Sequence, residues 1–347
     1  MHPAKKLVIE LGGVEDAPRT FARDQLAALR SADDGCARVR VWRRDEAGIL
    51  LGRFHRADAA ACAAGLVSRR LSGGRIVPVG PGTACVTLVV PVVDWLDPTS
   101  ASLRPDQILN RALRPLLSML RDRGVDAFYG GRDLITVNGR TVAHASFTVM
   151  RDGIGIIEMH MADRATFRDL AALLDRCDPA GVAGVDRDGF ATATSVAELL
   201  GANASAWTDD GWAQAFAGFA ATSFSCEVAT AADSDADVTM ADVDAAHGFF
   251  QSPGPVAVDR RTAAEVAMLG VVECAGSLRG DRLTALEITG DLIAPFHTLD
   301  DIAAECEGEP LRPASIRKAL ARALARPRSF VLGIRELDQL VLRLASG

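Results

Sequence analysis

Arg69-Arg70-Leu71-Ser72-Gly73-Gly74 is the stretch of this sequence that says most about its fold. Consecutive glycines let a backbone turn tightly and bring its amides close to a ligand. Free N–H groups in such a turn form a site for an anion, and arginine side chains beside it bind phosphate or carboxylate through paired hydrogen bonds. The stretch therefore predicts an anion-binding turn, although the same pattern also occurs in ordinary surface turns.

Four shorter motifs stand around this turn in a distinctive order. They are Gly52-Arg53-Phe54-His55, Gly82-Thr83-Ala84-Cys85, Gly130-Gly131-Arg132-Asp133-Leu134 and Gly139-Arg140-Thr141-Val142. Together with the turn, they resemble the catalytic domain of the lipoate–protein ligase A family, in the biotin/lipoate ligase superfamily. Gly280-Asp281-Arg282 and Thr289-Gly290-Asp291-Leu292 resemble the small C-terminal accessory domain of the same family.

The resemblance implies an α+β fold in which a mixed, largely antiparallel sheet is flanked by helices. Residues 1–252 are expected to form the catalytic domain, with an acidic insert at about 230–245, and residues 256–347 the α+β accessory domain. The turn signals Asn138-Gly139 and Asp152-Gly153 separately predict an antiparallel meander of strands at 134–137, 141–150 and 154–161.

Other segments have clear local patterns. Apolar spacing predicts helices at 19–30 and 105–123, the second kinked by Pro115. In the tail, two strands are expected at 266–275 and 282–288, followed by three helices.

The family resemblance also implies an activity. Its members activate lipoate with ATP, for which Mg²⁺ is a possible partner, and pass the acyl group to a lysine of a lipoyl carrier domain. Such carriers are the glycine-cleavage H protein and the 2-oxoacid dehydrogenase type, and octanoate is the alternative acyl group. Related enzymes move octanoyl groups through a cysteine thioester. Cys177 lies in a comparable place and is a candidate nucleophile, although the position also suits an ordinary cysteine.

Site residues follow position by position from the resemblance. Asp133 matches the catalytic aspartate of the family. The positions expected to bind the ligand are Arg53, Arg70, Ser72, Gly73, Gly74, Gly82, Arg132, Arg140, Thr141 and His144.

The chain departs from the family pattern where a charge is needed. Thr141 stands at the lysine position, Arg75 replaces the third glycine of the turn, and no lysine lies between Lys6 and Lys318. A hydroxyl cannot replace an ammonium beside a phosphate, but nearby arginines can supply positive charge with different geometry. This degenerate, bacterial-type site leaves three interpretations: an acyl-transferring enzyme, a non-catalytic binder of a lipoyl carrier or acyl nucleotide, or an enzyme repurposed for another small acid.

Composition and charge argue against several other classes of protein. The 347 residues carry a net charge of −7, which argues against a nucleic-acid partner. No apolar run is long enough to predict a membrane span. Seven scattered cysteines without a CxxC pair, and no apparent signal peptide, favour a cytoplasmic protein without a zinc site. His144, His160 and Glu158 could form a metal or acid–base cluster on adjacent strands, but half-buried polar residues at a pocket edge are the favoured interpretation, and no metal site is predicted.

Overall fold

The architecture was analysed in a computed structural model that describes residues 5–55, 67–96, 104–170, 188–201, 209–230, 239, 242 and 261–345. The strands are β1 (Lys6–Val14), β2 (Ala37–Arg43), β3 (Gly48–Leu51), β4 (Val67–Arg69), β5 (Val77–Val79), β6 (Thr83–Pro91), β7 (Phe128–Tyr129), β8 (Leu134–Val137), β9 (Arg140–Val149), β10 (Ile154–Ala162), β11 (Glu227–Thr230), β12 (Arg261–Val266), β13 (Val271–Arg279) and β14 (Arg282–Gly290). The helices are α1 (Ala17–Asp34), α2 (Val92–Leu96), α3 (Pro105–Ala112), α4 (Arg114–Asp122), α5 (Phe167–Leu170), α6 (Asp188–Ala191), α7 (Val196–Leu200), α8 (Asp209–Phe224), α9 (Thr298–Cys306), α10 (Pro313–Leu324) and α11 (Leu337–Leu342).

Eight of the described strands form one mixed sheet in the order β11-β1-β2-β6-β10-β9-β8-β7. β1 runs parallel to both of its neighbours, and the other pairs are antiparallel. Asn138 and Gly139 adopt φ values of 51° and 76°, as the predicted hairpin turn requires. The mixed, largely antiparallel sheet and its β8–β9–β10 meander are therefore confirmed.

The two faces of this sheet differ in character. One face packs against α4 and α8, and Trp212 and Phe216 of α8 are fully buried there. The opposite face carries rows of polar side chains, and α1 and the turn at 70–75 cover it. The apolar face stabilises the domain, and the polar face positions the candidate site.

A small second sheet holds the ends of that turn. β3 pairs parallel with β4, which leads into the turn, and antiparallel with β5, which leaves it. Because both ends are fixed to β3, residues 70–76 form a short loop of defined shape above the large sheet.

The long helix predicted at 105–123 is two helices, α3 and α4, that meet at Leu113. Pro115 lies in the first turn of α4, where its missing N–H costs no helical hydrogen bond. The predicted kink is thus a full break between two helices.

The tail forms a three-stranded antiparallel sheet, β12-β13-β14, packed on α9, α10 and α11. The strand predicted at 266–275 is correct only from Val271, where β13 begins, because the chain reverses between β12 and β13. There Gly270 adopts φ +148°, and the Ala267 N–H donates to its carbonyl. The proposed boundary near 252–256 and nearly all of the acidic insert lie outside the described residues.

None of the helices that the structure describes is both long and apolar enough to cross a bilayer.

Candidate functional site

The Arg70 side chain holds the turn together from inside. Its guanidinium donates to the carbonyl oxygens of Leu50 at 3.2 Å, Gly73 at 2.6 Å and Arg75 at 2.6 Å. Burial lowers the pKa of Arg70 to about 10, since a charged group loses hydration there. Its Nε also donates to Ser72 Oγ at 3.2 Å. Arg70 therefore shapes the loop, and its hydrogen bonds go to oxygen atoms of the protein itself.

Three amides of the turn, those of Leu71, Ser72 and Gly74, already have acceptors. The Ser72 N–H donates to Glu158 Oε2 at 2.7 Å, and the Leu71 backbone also hydrogen-bonds this carboxylate. The Gly74 N–H donates to the carbonyl oxygen of Leu292, in the accessory domain, at 2.6 Å. A side-chain carboxylate and a backbone carbonyl thus occupy the positions where a bound anion is expected to accept.

Close backbone packing explains two of the glycines. A Cβ at Gly73 would lie 2.2 Å from the Leu292 carbonyl oxygen, and a Cβ at Gly52 would lie 2.2 Å from that of Gly74. Gly82 adopts φ +88°, and its carbonyl accepts from the N–H groups of Asp163 and Arg164. All three positions need glycine for contacts within the protein.

Arg75 makes a buried ion pair with Asp133 beneath the turn. Its Nε lies 2.5 Å from Asp133 Oδ2, and its second nitrogen donates to Oδ1 at 3.0 Å. Burial raises the pKa of Asp133, while the Arg75 charge opposes that rise. Arg75 stands where the resembled family has the third glycine of the turn, and its guanidinium turns inward and forms a two-point contact with Asp133.

Two polar rows cross the sheet below the turn. Arg40, Thr87, Glu158 and Ser146 are direct partners on successive strands, and Trp42, Cys85, His160 and His144 form the next row. All eight are buried. Paired residues of neighbouring antiparallel strands share a face, so both rows point toward α1 and the turn.

His144 and His160 are the unusual members of these rows. Their ring centroids are 5.8 Å apart, and neither nitrogen of His144 nor Nδ1 of His160 has a hydrogen-bond partner. Burial, with the nearby Arg70 charge, lowers the pKa of both well below the ordinary value. His144 Nε2 is 3.7 Å from Asp133 Oδ2. The pair is therefore neutral and able to accept hydrogen bonds.

Several sequence-predicted residues lie apart from this cluster. Arg132 and Arg140 are exposed, and Arg140 pairs with Glu198 at 3.2 Å. Thr141 is buried, and its carbonyl accepts from the Thr194 N–H. The Arg53 guanidinium stacks 3.9 Å from the Phe296 ring in the accessory domain, and burial lowers its pKa to about 10. Cys177 lies outside the described residues.

A narrow cavity opens beside the turn, between α1 and the sheet. Its wall combines the apolar side chains of Phe21, Trp42 and Leu71 with the acids Asp24 and Glu158. Asp24 and Glu15 both bind Arg40, and Thr87 donates to Asp24 at 3.3 Å. Burial raises the pKa of Asp24 to about 7, although Arg40 opposes this shift.

Sequence reasoning missed Asp24 and Glu15 because nothing in their local pattern separates them from surface residues. It did single out Glu158, since the alternation of β10 places this residue on the face of His160. The possible metal cluster on these strands is not supported: within the described part of the chain, no group of three or more His, Cys, Asp or Glu side chains could hold a metal ion.

Comparison with known proteins gives a consistent result. The family model of the lipoyl protein ligase A/B catalytic domain matches residues 17–206. An octanoyl-GcvH:protein N-octanoyltransferase of Kyrpidia tusciae is 32% identical over 152 residues, which is 38% of this chain. The matched region spans about half (50%) of that curated relative.

Solved structures share the fold at low identity. The LipL1 protein of P. falciparum, in complex with lipoate, superposes with a TM-score of 0.70 at 11% identity, covering 97% of this chain and 99% of that one. A bipartite lipoate protein ligase from Thermoplasma acidophilum, described with its E2 lipoyl domain, superposes with a TM-score of 0.53 at 15% identity. The match covers 74% of this chain and 100% of that one. A lipoate-protein ligase A bound with ATP superposes with a TM-score of 0.51 at 13% identity, and the match covers 71% of this chain and 94% of that one.

Proposed function

Because the chain belongs to the lipoyl protein ligase A/B catalytic-domain family, we propose that it transfers a lipoyl or octanoyl group to the lysine of a lipoyl carrier domain. The observation that carries the proposal is the pair of buried polar rows facing the Ser72–Gly74 turn, opposite a fully apolar face of the same sheet. Buried polar groups are costly unless they have partners. Unpartnered nitrogens on His144 and His160 therefore favour a ligand at this position.

Arg75 is the proposed source of positive charge at this site. It is buried within the candidate cluster, whereas Arg132 and Arg140 are exposed. In the acyl-adenylate route, the carboxylate of lipoate or octanoate attacks the α-phosphate of ATP and releases pyrophosphate, which gives the acyl-adenylate. The carrier lysine then displaces AMP from the acyl carbon. Negative charge develops on the acyl oxygen during this displacement, and a fixed cation nearby lowers the barrier.

Glu158 is the proposed acceptor of the proton that the attacking lysine ammonium must lose. Burial raises the pKa of its carboxylate, and a carboxylate with a raised pKa is a stronger base near neutral pH. Accepting the proton would also weaken its bonds to the Leu71 and Ser72 amides and release them toward the acyl group.

One observation favours a second candidate route. The carboxylate of Glu158 and the carbonyl of Leu292 occupy the turn amides that would hold the phosphate of an adenylate. A route that takes the octanoyl group from an acylated carrier protein needs no phosphate at this turn. In that route the Cys177 thiolate would attack the donor acyl carbon, release the donor, and pass the acyl group to the acceptor lysine.

The test is acyl transfer measured by intact mass. The purified chain is incubated with an apo lipoyl domain and one of two donors: Mg-ATP with octanoate or lipoate, or octanoylated carrier protein without ATP. Added acyl mass on the lipoyl domain in the first arm supports the adenylate route. Added mass only in the second arm, lost in Cys177→Ser, supports the thioester route.

Variants connect the activity to this site. Asp133→Asn and Glu158→Gln are expected to reduce transfer by about 10²–10³-fold, the usual effect of losing one transition-state contact. Arg140→Ala, at an exposed pair, is the matched control and should keep full activity. No acyl mass in either arm would contradict an acyl-transfer function and leave the carrier-binding interpretation.

The reducing cytoplasm is the proposed compartment. The five cysteines within the described residues form no disulfide, which agrees with a reducing environment.

A further inference from the structure

A second cavity lies on the other side of the large sheet from the candidate site. Its volume is about 150 Å³, and it is partly open to solvent. Leu109 of α3 and Phe147 of β9 form one wall, and Leu269, Ile293 and Leu332 of the accessory domain form the other. The cavity is therefore built jointly by the two parts of the chain.

The wall from the accessory domain is well ordered by its own contacts. Ile293 and Leu332 exchange two backbone hydrogen bonds, at 3.0 and 2.8 Å. Phe330, next to this bridge, stacks on Phe147 with ring centroids 5.6 Å apart. These contacts hold the cavity open with apolar side chains on both sides.

The mouth of the cavity carries one available positive charge. Asp106 and Arg132 both lie there, but Asp106 is engaged by Arg104 at 2.6 Å. Arg132 is exposed and forms no ion pair with any described residue. An apolar interior with a cation at its entrance is complementary to an amphiphile that has an anionic head.

We propose that this cavity binds a medium-chain carboxylate, with its hydrocarbon chain between Leu109 and Leu332 and its carboxylate at Arg132. An apolar cavity of about 150 Å³ stays dry and holds a six-carbon ring in a well-studied engineered protein. This volume therefore suits a chain of roughly six carbons. The inference does not depend on the proposed acyl transfer, since the cavity and the candidate site lie on opposite faces of the sheet.

A ligand in this cavity would also stabilise the docked position of the accessory domain. Ile293 directly follows Leu292, whose carbonyl accepts from the Gly74 N–H. A ligand that contacts both walls binds the docked arrangement only, so it stabilises that arrangement by mass action. The bound carboxylate would thereby keep Leu292 on the turn.

The experiment uses the Met268 methyl group, which lies at the cavity mouth, as a local reporter. The full chain is labelled on its seven methionine methyls, Met268→Leu assigns the resonance, and sodium hexanoate is titrated. We expect a saturable shift of the Met268 signal while the signal of Met159, buried in the large sheet, stays constant. Hexan-1-ol, which lacks the carboxylate, should bind the wild type about 3-fold more weakly than hexanoate does. The Arg132→Ala variant should bind hexanoate about 3-fold more weakly than the wild type, because each change removes one exposed charge contact.

Two cavity-filling variants keep the proposal falsifiable. Leu109→Trp fills the cavity from α3, and Val331→Phe fills it from the accessory domain. If one variant fails to fold, the titration can still be measured on the other. Either variant should abolish the shift, and Arg140→Ala should leave it unchanged. The proposal is overturned if hexanoate causes no saturable Met268 shift, or if the shift persists in a folded cavity-filling variant. Neither result bears on acyl transfer.

Discussion

Asp24 shows how single residues on the polar face are tuned. It is 1% exposed and shares Arg40 with the equally buried Glu15. Burial has the largest effect on the Asp24 carboxylate and outweighs the opposing Arg40 charge, so the Asp24 pKa rises to about 7. The folded state therefore binds a proton at mildly acidic pH that the unfolded chain has already lost.

This difference predicts the direction of a pH effect on stability. A carboxyl group whose folded pKa is above its unfolded pKa loses stabilisation as the pH rises from the unfolded value through the folded one, and the loss is complete above the folded pKa. Raising the pH from 6 to 8 should therefore cost the wild type about 1–2 kcal/mol relative to Asp24→Asn, which cannot ionise. Urea unfolding of both proteins at each pH measures this difference, and a constant gap would refute the raised pKa.

The Arg75–Asp133 pair makes a second prediction at the same scale. Arg75→Met leaves Asp133 fully buried without its cation, and breaking a buried pair typically costs about 3–5 kcal/mol. Arg140→Ala removes an exposed pair with Glu198 and should cost under about 1 kcal/mol. Chemical unfolding measures both variants. Equal losses would mean that the Arg75 contact is no more protected from solvent than the surface pair.

At the scale of elements, the turn and the segment 290–294 act as one packed unit. The carbonyl of Leu292 accepts from Gly74, and that of Ala294 accepts from the Thr148 hydroxyl at 3.0 Å. Gly73 permits the contact, since any side chain there would meet the Leu292 carbonyl.

Gly73→Ala should therefore displace this segment. Its Cβ would lie 2.2 Å from a backbone oxygen, so the Gly74 N–H must lose its acceptor. Hydrogen exchange at Gly74 and at residues 291–293 is expected to accelerate. Gly218→Ala in α8, where nothing lies within 4 Å, is the control and should stabilise the helix by about 0.5–1 kcal/mol. Unchanged exchange at Gly74 would contradict the proposed packing.

Elements with a strong local signal could be predicted from the sequence, and those fixed by distant partners could not. β8 and β10 lie at their predicted positions because turn signals beside them define them locally. β1 and β12 went unrecognised, since their pairing depends on strands far away in the sequence.

The same limit applies to the candidate site. The position of the glycine-rich turn was recognisable, but the acceptors of its amides, Glu158 and Leu292, come from residues 86 and more than 200 positions away. The sequence also grouped Arg132 and Arg140 with the turn, and the structure places both at the surface. Only the three-dimensional arrangement distinguishes Arg75 as the buried cation.

At the scale of the whole molecule, buried polar contacts join the two parts of the chain. His55 Nε2 lies 2.9 Å from Asp291 Oδ1, and the other carboxylate oxygen accepts from the Val271 N–H at 2.8 Å. The Gly290 N–H donates to the Phe54 carbonyl at 3.0 Å beside this contact. Asp291 thus connects the loop before the turn to the sheet of the accessory domain.

Asp291→Ala should make the unfolding of the catalytic and accessory domains less cooperative. The variant leaves a buried histidine and a backbone amide without partners, each costing about 1–3 kcal/mol. Calorimetry is expected to show two unfolding transitions where the wild type shows one. Asp281→Ala, which removes an exposed pair with Arg312, should keep a single transition. A single transition in Asp291→Ala would place the coupling elsewhere in the interface.

The choice of arginine for the buried cations has a chemical consequence. An activated acyl group reacts with any unprotonated amine nearby, and lysine is the side chain that supplies one, whereas arginine stays protonated. Lys5 lies beside the Trp95 ring, and Lys6 and Lys318 are exposed. The buried cations on the polar side of the sheet, which include Arg38, Arg40, Arg70 and Arg75, are arginines. A reactive intermediate held there would meet no amine nucleophile among these cations, so its lifetime would not be limited by self-modification at the site.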